Sequence, residues 1–412
     1  MERVEWVEFV AGTVYYAALR EVPRTNGDEI FFSVDRQLVY VNFYLDFGPL
    51  NLGQTFQFSQ ILNRELSKAK SMGKKIVFYS GVDGKRRTNA ICLLCCWGIL
   101  YNGMSATQAY ASFNHMNLPT FHDATPTICL YKLTVLDCLK GLEKAVKCKF
   151  VAIETFNVEE YQHYEQVENG DLNWLSPKFI AFAGPHNEFK QTAEGYISLT
   201  PEHYIPYFKK HNVTLVVRLN EKMYDRKRFL NAGIDHLELF YPDGGNPPDD
   251  ILLQFIEACE ATPGAVAVHC KAGLGRTGTC IGAYIMKHYK LTAKECIGWL
   301  RLCRAGSVIG PQQQYMESIE RRMWHAKRHL EDEIEECGHV VQVSPCKTKQ
   351  KSPNNIFTTI LQQVPAPKGN RAAMKLNLSY DFPTFQSEPS PKTQGDDLIE
   401  LKHGRMKSPG KP

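Results

Sequence analysis

The stretch His269-Cys270-Lys271-Ala272-Gly273-Leu274-Gly275-Arg276-Thr277 constrains this chain more than any other part of it. The apolar run Ala265-Val266-Ala267-Val268 enters it and reads as a buried strand. The amphipathic run from Thr277 to Tyr289 leaves it and reads as a helix. Five residues separate Cys270 from Arg276, so the backbone between them has to curl into a tight loop at a helix N-terminus. Gly273 and Gly275 permit the dihedrals of such a loop and let main-chain N–H groups point inward. The amides of Lys271, Ala272, Gly273, Leu274 and Gly275 would then bind a dianion, with the helix dipole adding to the attraction.

The same field acts on the cysteine. A helix N-terminus and the adjacent Arg276 favour the ionised, nucleophilic thiolate of Cys270. Arg276 can hold two equatorial phosphoryl oxygens with its planar fork, which a lysine could not do. Thr277 can donate its hydroxyl to the sulfur and stabilise it as a leaving group. A serine alkoxide leaves poorly unless protonated, so the chemistry also needs a carboxylic acid on a loop at the same sheet edge. Tyr241-Pro242-Asp243-Gly244-Gly245-Asn246-Pro247-Pro248-Asp249-Asp250 follows a strand and carries three candidates. Asp249 and Asp250 precede the apolar run Ile251–Ile256 and look like helix-capping residues. Asp243 is left as the acid. Gln312 and Gln313, at the start of a later helix, read equally well as positioners of a water or as exposed surface amides.

A length of 412 residues implies two to three domains. A net charge of +4 is too small for this length to argue for nucleic acid, and no partner of that kind is expected. The thirteen cysteines lack a framework spacing, which points to a reducing compartment, the nucleus or the cytoplasm. Cys92, Cys95 and Cys96 lie among Leu and Trp without a second Cys/His pair, so they read as core thiols and no metal site is expected. Neither a membrane span nor a signal peptide is expected: the run Ile91–Leu100 is too short to cross a bilayer, and Glu2 and Glu5 make the start acidic.

The first half holds a faded copy of the signature. Ile76–Tyr79 reads as a strand, Ser80-Gly81-Val82-Asp83-Gly84-Lys85-Arg86-Arg87-Thr88 as a loop and Asn89–Tyr101 as a helix. Aligning Arg87-Thr88 with Arg276-Thr277 puts Gly81 where Cys270 stands, and Asp83 would repel a phosphate. An unrelated α/β domain with a coincidental basic loop is the alternative. Between the halves, Asn157–Glu168 reads as a helix ended by Asn169-Gly170. Glu165 and Glu168 would share one of its faces, with Asp171 just beyond. Spacing alone favours a solvated face there over the wall of a cleft. In the second half, Val213–Leu219 and His236–Tyr241 read as strands, Thr292–Glu295 as a capping box, and Gly310-Pro311 as the start of a helix reaching Glu336. This alternation implies a mostly parallel sheet covered on both faces. From Ser344 onward Lys, Ser, Pro, Gln and Asn dominate, and the tail reads as disordered. Met374–Leu378 is a short apolar patch within it.

HCKAGLGRTGT contains the Cys-x5-Arg-Ser/Thr signature of cysteine-dependent phosphatases. With the linker HYEQVENGDLNW, the stretch PYFKKHNVTLVVRLN and the run GSVIGPQQ, it resembles the mitotic-exit dual-specificity protein phosphatases, the cell-division-cycle-fourteen family, over about residues 1–330. The resemblance implies an α/β fold of two tandem dual-specificity-phosphatase-like domains. The expected order is an inactive domain at 1–150, a linker helix with an acidic strip at 151–177, a catalytic domain at 178–336 and a disordered tail at 337–412. It implies Cys270 as nucleophile, Arg276 as phosphate-binding arginine and Asp243 as acid, without metal or cofactor. It also places an acidic groove on Glu165, Glu168 and Asp171. The implied substrates are phosphoproteins with Ser-Pro-x-Lys/Arg sites, as left by cyclin-dependent kinases in cell division. The nucleolus, the centrosome and the spindle are the implied places within the cell. Three departures from the family pattern stand out: Pro242-Asp243-Gly244-Gly245 for Ile-Asp-Gly-Ser, Ala305 for Pro, and Gly81 where relatives can carry a cysteine. Leu274 stands where lipid phosphatases with similar loops carry a lysine, and a sulfurtransferase would need neither Asp243 nor Thr277. A binding scaffold with a silent site conflicts with the intact Cys, Arg and Asp set. Ser344-Pro345-Cys346-Lys347 and Ser408-Pro409-Gly410-Lys411 fit the substrate pattern and make the tail a candidate regulator of the site.

Overall fold

A computed structural model of the chain describes residues 6–21, 27–191, 197–326 and 392–405. The first half contributes strands β1 (Val7–Val10), β2 (Val14–Ala18) and β3 (Glu29–Phe32), helix α1 (Leu52–Ser71), strand β4 (Lys75–Ser80) and helices α2 (Gly84–Tyr101), α3 (Ala106–Ala111) and α4 (Val135–Lys147). Its sheet runs β1-β2-β4-β3, parallel except for the β1–β2 hairpin. Ile76, Val77 and Phe78 of β4 are fully buried, as a central strand covered on both faces must be. Helix α5 (Val158–Glu165) leads into the second half.

That half contains β5 (Leu172–Ser176), β6 (Phe179–Phe182), the short hairpin β7 (Lys190–Gln191) and β8 (Ile197–Ser198), α6 (Pro201–Lys210), β9 (Val213–Arg218), α7 (Lys227–Leu230) and β10 (Asp235–Glu238). It continues with α8 (Asp249–Ala261), β11 (Ala265–His269), α9 (Gly275–Tyr289), α10 (Ala293–Cys303) and α11 (Pro311–His325). The sheet order is β10-β9-β11-β6-β5, with only β5 antiparallel. β11 sits in the middle and delivers His269-Cys270 to the carboxyl edge of the sheet, where ligands of open α/β sheets bind.

The two halves share one core along a seam between α4 and α10. A Cβ on Gly141 would lie 2.2 Å from the Glu295 carbonyl, and one on Gly298 would lie 2.7 Å from Cys138 Cα. Glycine at both positions is what lets the two helices approach so closely. Cys92, Cys95 and Cys96 are buried in this core, as expected of apolar thiols.

Four expectations need correction. Helix α2 begins at Gly84, not Asn89, because Asp83 caps it, accepting from the Lys85 and Arg86 amides at 3.1 Å. Helix α5 ends at Glu165, and a 3-10 turn, Val167–Asn169, follows an extended Gln166, so Glu165 and Glu168 share no helical face. Helix α11 ends at His325 where Ala326 turns extended, rather than reaching Glu336. The region read as a disordered tail contains a packed helix, α12 (Gln394–Arg405), with Leu398 buried. Met374–Leu378, Ser344–Lys347 and Ser408–Lys411 lie outside the described residues.

Candidate active site

Five residues, Cys270 to Leu274, join β11 to α9. Four successive carbonyls of this loop are engaged from outside. His269 Nδ1 reaches the Cys270 oxygen at 2.9 Å, and the Gly184 amide donates to Lys271 O at 2.9 Å. Arg304 donates through Nη2 to Ala272 O at 3.0 Å and through Nε to Gly273 O at 2.8 Å. In a trans peptide the N–H points opposite the C=O, so this outward set turns the following amides towards the loop interior. Gly273 has φ +68°, and a Cβ there would lie 2.0 Å from the Phe182 carbonyl. The loop closes only with glycine at this position.

Arg276 is buried and fixed. Its Nη1 donates to Tyr241 O at 3.0 Å, while its own carbonyl accepts from the Tyr241 hydroxyl at 3.1 Å. Arg276 Nη2 lies 3.1 Å from Asp243 Oδ1, which places the candidate acid over the phosphate loop. Arg276 Nε has no hydrogen-bond partner among the described residues. The Thr277 hydroxyl is buried and also without a partner there, so the expected hydrogen bond to the Cys270 sulfur is not formed. Asp249 opens α8 and pairs with Arg322 at 2.7 Å, and Asp250 is exposed in the same turn. Geometry therefore leaves Asp243 as the carboxylate at the loop. Gln312 and Gln313 are buried rather than exposed; Gln312 Nε2 donates to Gly245 O at 3.1 Å and so ties α11 to the acid loop.

Behind the loop, His269 Nε2 meets the Tyr224 hydroxyl at 2.8 Å, and that hydroxyl meets His236 Nε2 at 2.8 Å. With Nδ1–H of His269 given to a carbonyl, Nε2 is the acceptor from Tyr224, and His236 donates to the tyrosine oxygen. Burial, above all other causes, pushes both histidines down to about 3. Both are neutral, and they orient the loop without adding charge to it.

The acidic groove forms only in part. Glu165 and Arg304 line a cavity of about 530 Å³ together with Gln37, Tyr40, Asn51 and Lys402. Asn51 Nδ2, at the cap of α1, donates to Glu165 Oε1 at 2.8 Å. Burial pushes the Glu165 carboxyl up, against Lys402, Asn51 and Arg304. Asp171 is buried, follows Gly170 with φ +46°, and sits 2.8 Å from Arg304 Nη1. It therefore supports the arginine that holds the loop, and it lines a smaller neighbouring cavity rather than the one beside Glu165. Glu168 is exposed and lines neither this cavity nor its neighbour beside Asp171.

In the first half the equivalent site is closed. Three residues, Gly81 to Asp83, join β4 to α2 in place of five, too few to encircle a phosphate. The Gly81 amide is given to Asp35 at 2.7 Å, and Asp83 occupies the helix-start amides.

Sequence reasoning missed the roles of Arg304 and of α12. A second arginine three residues after Arg301, at the end of the otherwise apolar run Trp299–Cys303, is a signal for the first. Thr393-x-x-Asp396 ahead of Leu398-Ile399, a capping-box pattern, is a signal for the second.

Two family models match in tandem. "Dual specificity protein phosphatase, N-terminal half" covers residues 8–145, and "Dual specificity phosphatase, catalytic domain" covers residues 195–322. The chain is 49% identical to dual specificity protein phosphatase CDC14AB of Danio rerio over 77% of its length and 52% of that protein's. It is 48% identical to CDC14A of Homo sapiens over 77% of its length and 54% of that protein's. With human CDC14C the identity is 46% over 75% of this chain and 70% of the relative. The chain thus spans about half the length of the first two relatives. Both halves match in order, the second contains the cysteine loop, and the chain belongs to the CDC14 family of dual specificity protein phosphatases.

Proposed function

We propose that this chain is a cysteine-dependent protein phosphatase that hydrolyses phosphoserine, phosphothreonine and phosphotyrosine, preferring phosphoserine followed by Pro-x-Lys/Arg. The observation that carries the reading is the 3.1 Å contact between Asp243 and Arg276 above the loop that begins at Cys270. Cys270 Sγ attacks phosphorus and the P–O bond to the serine breaks. Asp243 acts as the general acid and gives a proton to the departing oxygen. Arg276 and the loop amides hold the equatorial oxygens throughout. Water then attacks the phosphocysteine, Asp243 takes its proton, and inorganic phosphate leaves as the Cys270 thiolate reforms. Thr277 is the donor available to that leaving sulfur.

The cavity beside Glu165 supports recognition of a basic residue downstream of the phosphoserine. Sites of this pattern are those of proline-directed kinases, so the reading extends to reversal of cyclin-dependent kinase phosphorylation in dividing cells. The compartments proposed are the nucleus or cytoplasm, including the nucleolus, centrosome and spindle. No helix among the described residues is long and apolar enough to cross a membrane.

A panel of phosphopeptides varying the three residues after phosphoserine tests this. Turnover of Ser-Pro-x-Lys peptides is expected to exceed that of Ser-Ala-x-Ala peptides by roughly tenfold or more, the discrimination of a single well-made polar contact. Cys270→Ser should bind the peptide without turning it over. Near-normal turnover in that variant, or equal rates across the panel, would overturn the reading.

A further inference from the structure

Helix α12 lies across the catalytic loop. Its start is fixed by Thr393 and Asp396: the Thr393 amide and hydroxyl both donate to Asp396 Oδ2 at 2.9 Å. From this end the segment reaches two groups of the site. The Gly395 amide donates to Asp243 Oδ2 at 2.7 Å, so the carboxyl that has to protonate a leaving group is an acceptor here. Asp396 Oδ2 sits 2.5 Å from Lys271 Nζ, which also donates to the Thr393 hydroxyl at 3.2 Å. A Cβ at position 395 would lie 2.7 Å from Asp243 Oδ2 and 2.8 Å from Lys271 Cβ, so only glycine brings the backbone this near.

One turn further on, Leu398 is buried against Phe43 and Ala124 of the first half and Ala272, Leu274 and Ile309 of the second. The Lys402 ammonium pairs with Asp171 and lines the groove beside Glu165. Burial, then the Arg304 charge, lower Lys402 to about 8 against the pull of Asp171 and Glu165. Its ion pair therefore sets register more than it adds affinity, and the apolar contacts of Leu398, with Ile399 and Leu401 beside it, supply the attraction.

We infer that the catalytic groove is a helix-binding surface whose resident occupant is residues 393–402 of the same chain. The recognition chemistry is a glycine at the acid, an aspartate at the loop lysine, a leucine in the pocket and a lysine on the acidic groove. This rests on the phosphatase reading of the site. A phosphopeptide with its phosphate in the loop and its basic residue near Asp171 would need the space that α12 fills, so the two are mutually exclusive. Covalent attachment makes the docking intramolecular, and a modest intrinsic affinity suffices to keep the site occupied.

The test compares the full-length chain with full-length Leu398→Asp and Lys402→Glu variants. Alkylation of Cys270 by iodoacetamide, followed by mass at that residue, reads docking without turnover. Hydrolysis of an aryl phosphate and of a Ser-Pro-x-Lys phosphopeptide reads competition. Both the alkylation rate and kcat/KM should rise roughly fivefold to tenfold in the variants, as when a site occupied four-fifths to nine-tenths of the time is freed. The peptide gain should come through KM, and a synthetic peptide of residues 392–405 should restore protection to Leu398→Asp. Unchanged alkylation and kinetics, or a lower kcat/KM in Leu398→Asp, would overturn the inference. Faster alkylation in a protein that hydrolyses no phosphate ester would leave the docking standing and sink the phosphatase reading instead.

Discussion

Asp243 is the residue on which the proposed chemistry turns, because it alone of three carboxylates in its loop touches Arg276. Asp249 is committed to Arg322 and Asp250 faces outward. Removing a general acid costs most where the leaving group is poor. Asp243→Ala is expected to slow phosphoserine peptides by roughly 10²–10⁴-fold and an aryl phosphate far less. Stopped assays on the two substrates check this, and equal losses would remove Asp243 from the acid role. Thr277 presents a different case: its hydroxyl is buried and unpartnered among the described residues, a cost left standing in the resting site. Thr277→Val should therefore be well tolerated in stability. It should slow breakdown of the phosphocysteine, seen as a larger burst of aryl alcohol before the steady state.

At the scale of elements, the loop is held by what lies outside it. Arg304, at the C-terminal cap of α10, bridges Ala272, Gly273, Asn173 and Asp171 while fully buried. Arg304→Met should leave those carbonyls without their donor and deprive the Asp171 carboxylate of a cationic partner that Lys402 alone would not replace. A roughly hundredfold fall in kcat is expected from misplacing the amides by about 1 Å. Circular dichroism should show the helices retained, and normal kcat would refute the role. The His269–Tyr224–His236 chain links β11 to β10 and carries a pH signature. Both histidines have folded values of about 3, below the ordinary 6.5. Between those limits the unfolded chain binds more protons. Their contribution is thus complete above pH 6.5 and declines as pH falls, by up to about 1.4 kcal/mol per pH unit for each group. Urea midpoints should fall between pH 7 and 5.5, and His236→Asn should flatten part of that slope. A flat midpoint in the wild-type chain would contradict it.

At the scale of the molecule, the first half is a structural partner of the second. Gly141 and Gly298 let α4 and α10 meet at backbone distance, and Lys144 adds a 2.7 Å ion pair to Glu295 across the same seam. A shared core of this kind predicts that the two halves unfold together. Gly141→Leu should lower the melting midpoint through overpacking worth about 1–3 kcal/mol. Calorimetry should give a single transition for the wild-type chain, and two well-separated ones would refute the coupling. The first half also reaches the site itself: Asn51 binds Glu165, Asp123 accepts from the Gly310 amide at 2.7 Å, and Phe43 walls the pocket of Leu398. None of these links was legible in the sequence, because each joins residues more than a hundred positions apart through packing. What the sequence did determine was local. Cys270, Arg276 and the glycines between them are specified by a loop that has to fit between one strand and one helix, and the order of apolar and amphipathic runs dictated the sheet. Asp243 could be chosen because a strand end, a proline and a helix start separated it from its neighbours along the chain. Tertiary structure decided the rest. It stopped α5 at Glu165, so that Glu168 left the groove and Asp171 turned to Arg304. It also made a helix of Gln394–Arg405 in a stretch whose composition argued for disorder. Propensity and composition count a segment's own residues. A helix this short takes its stability from the surface on which it buries Leu398, and that surface belongs to residues distant in sequence.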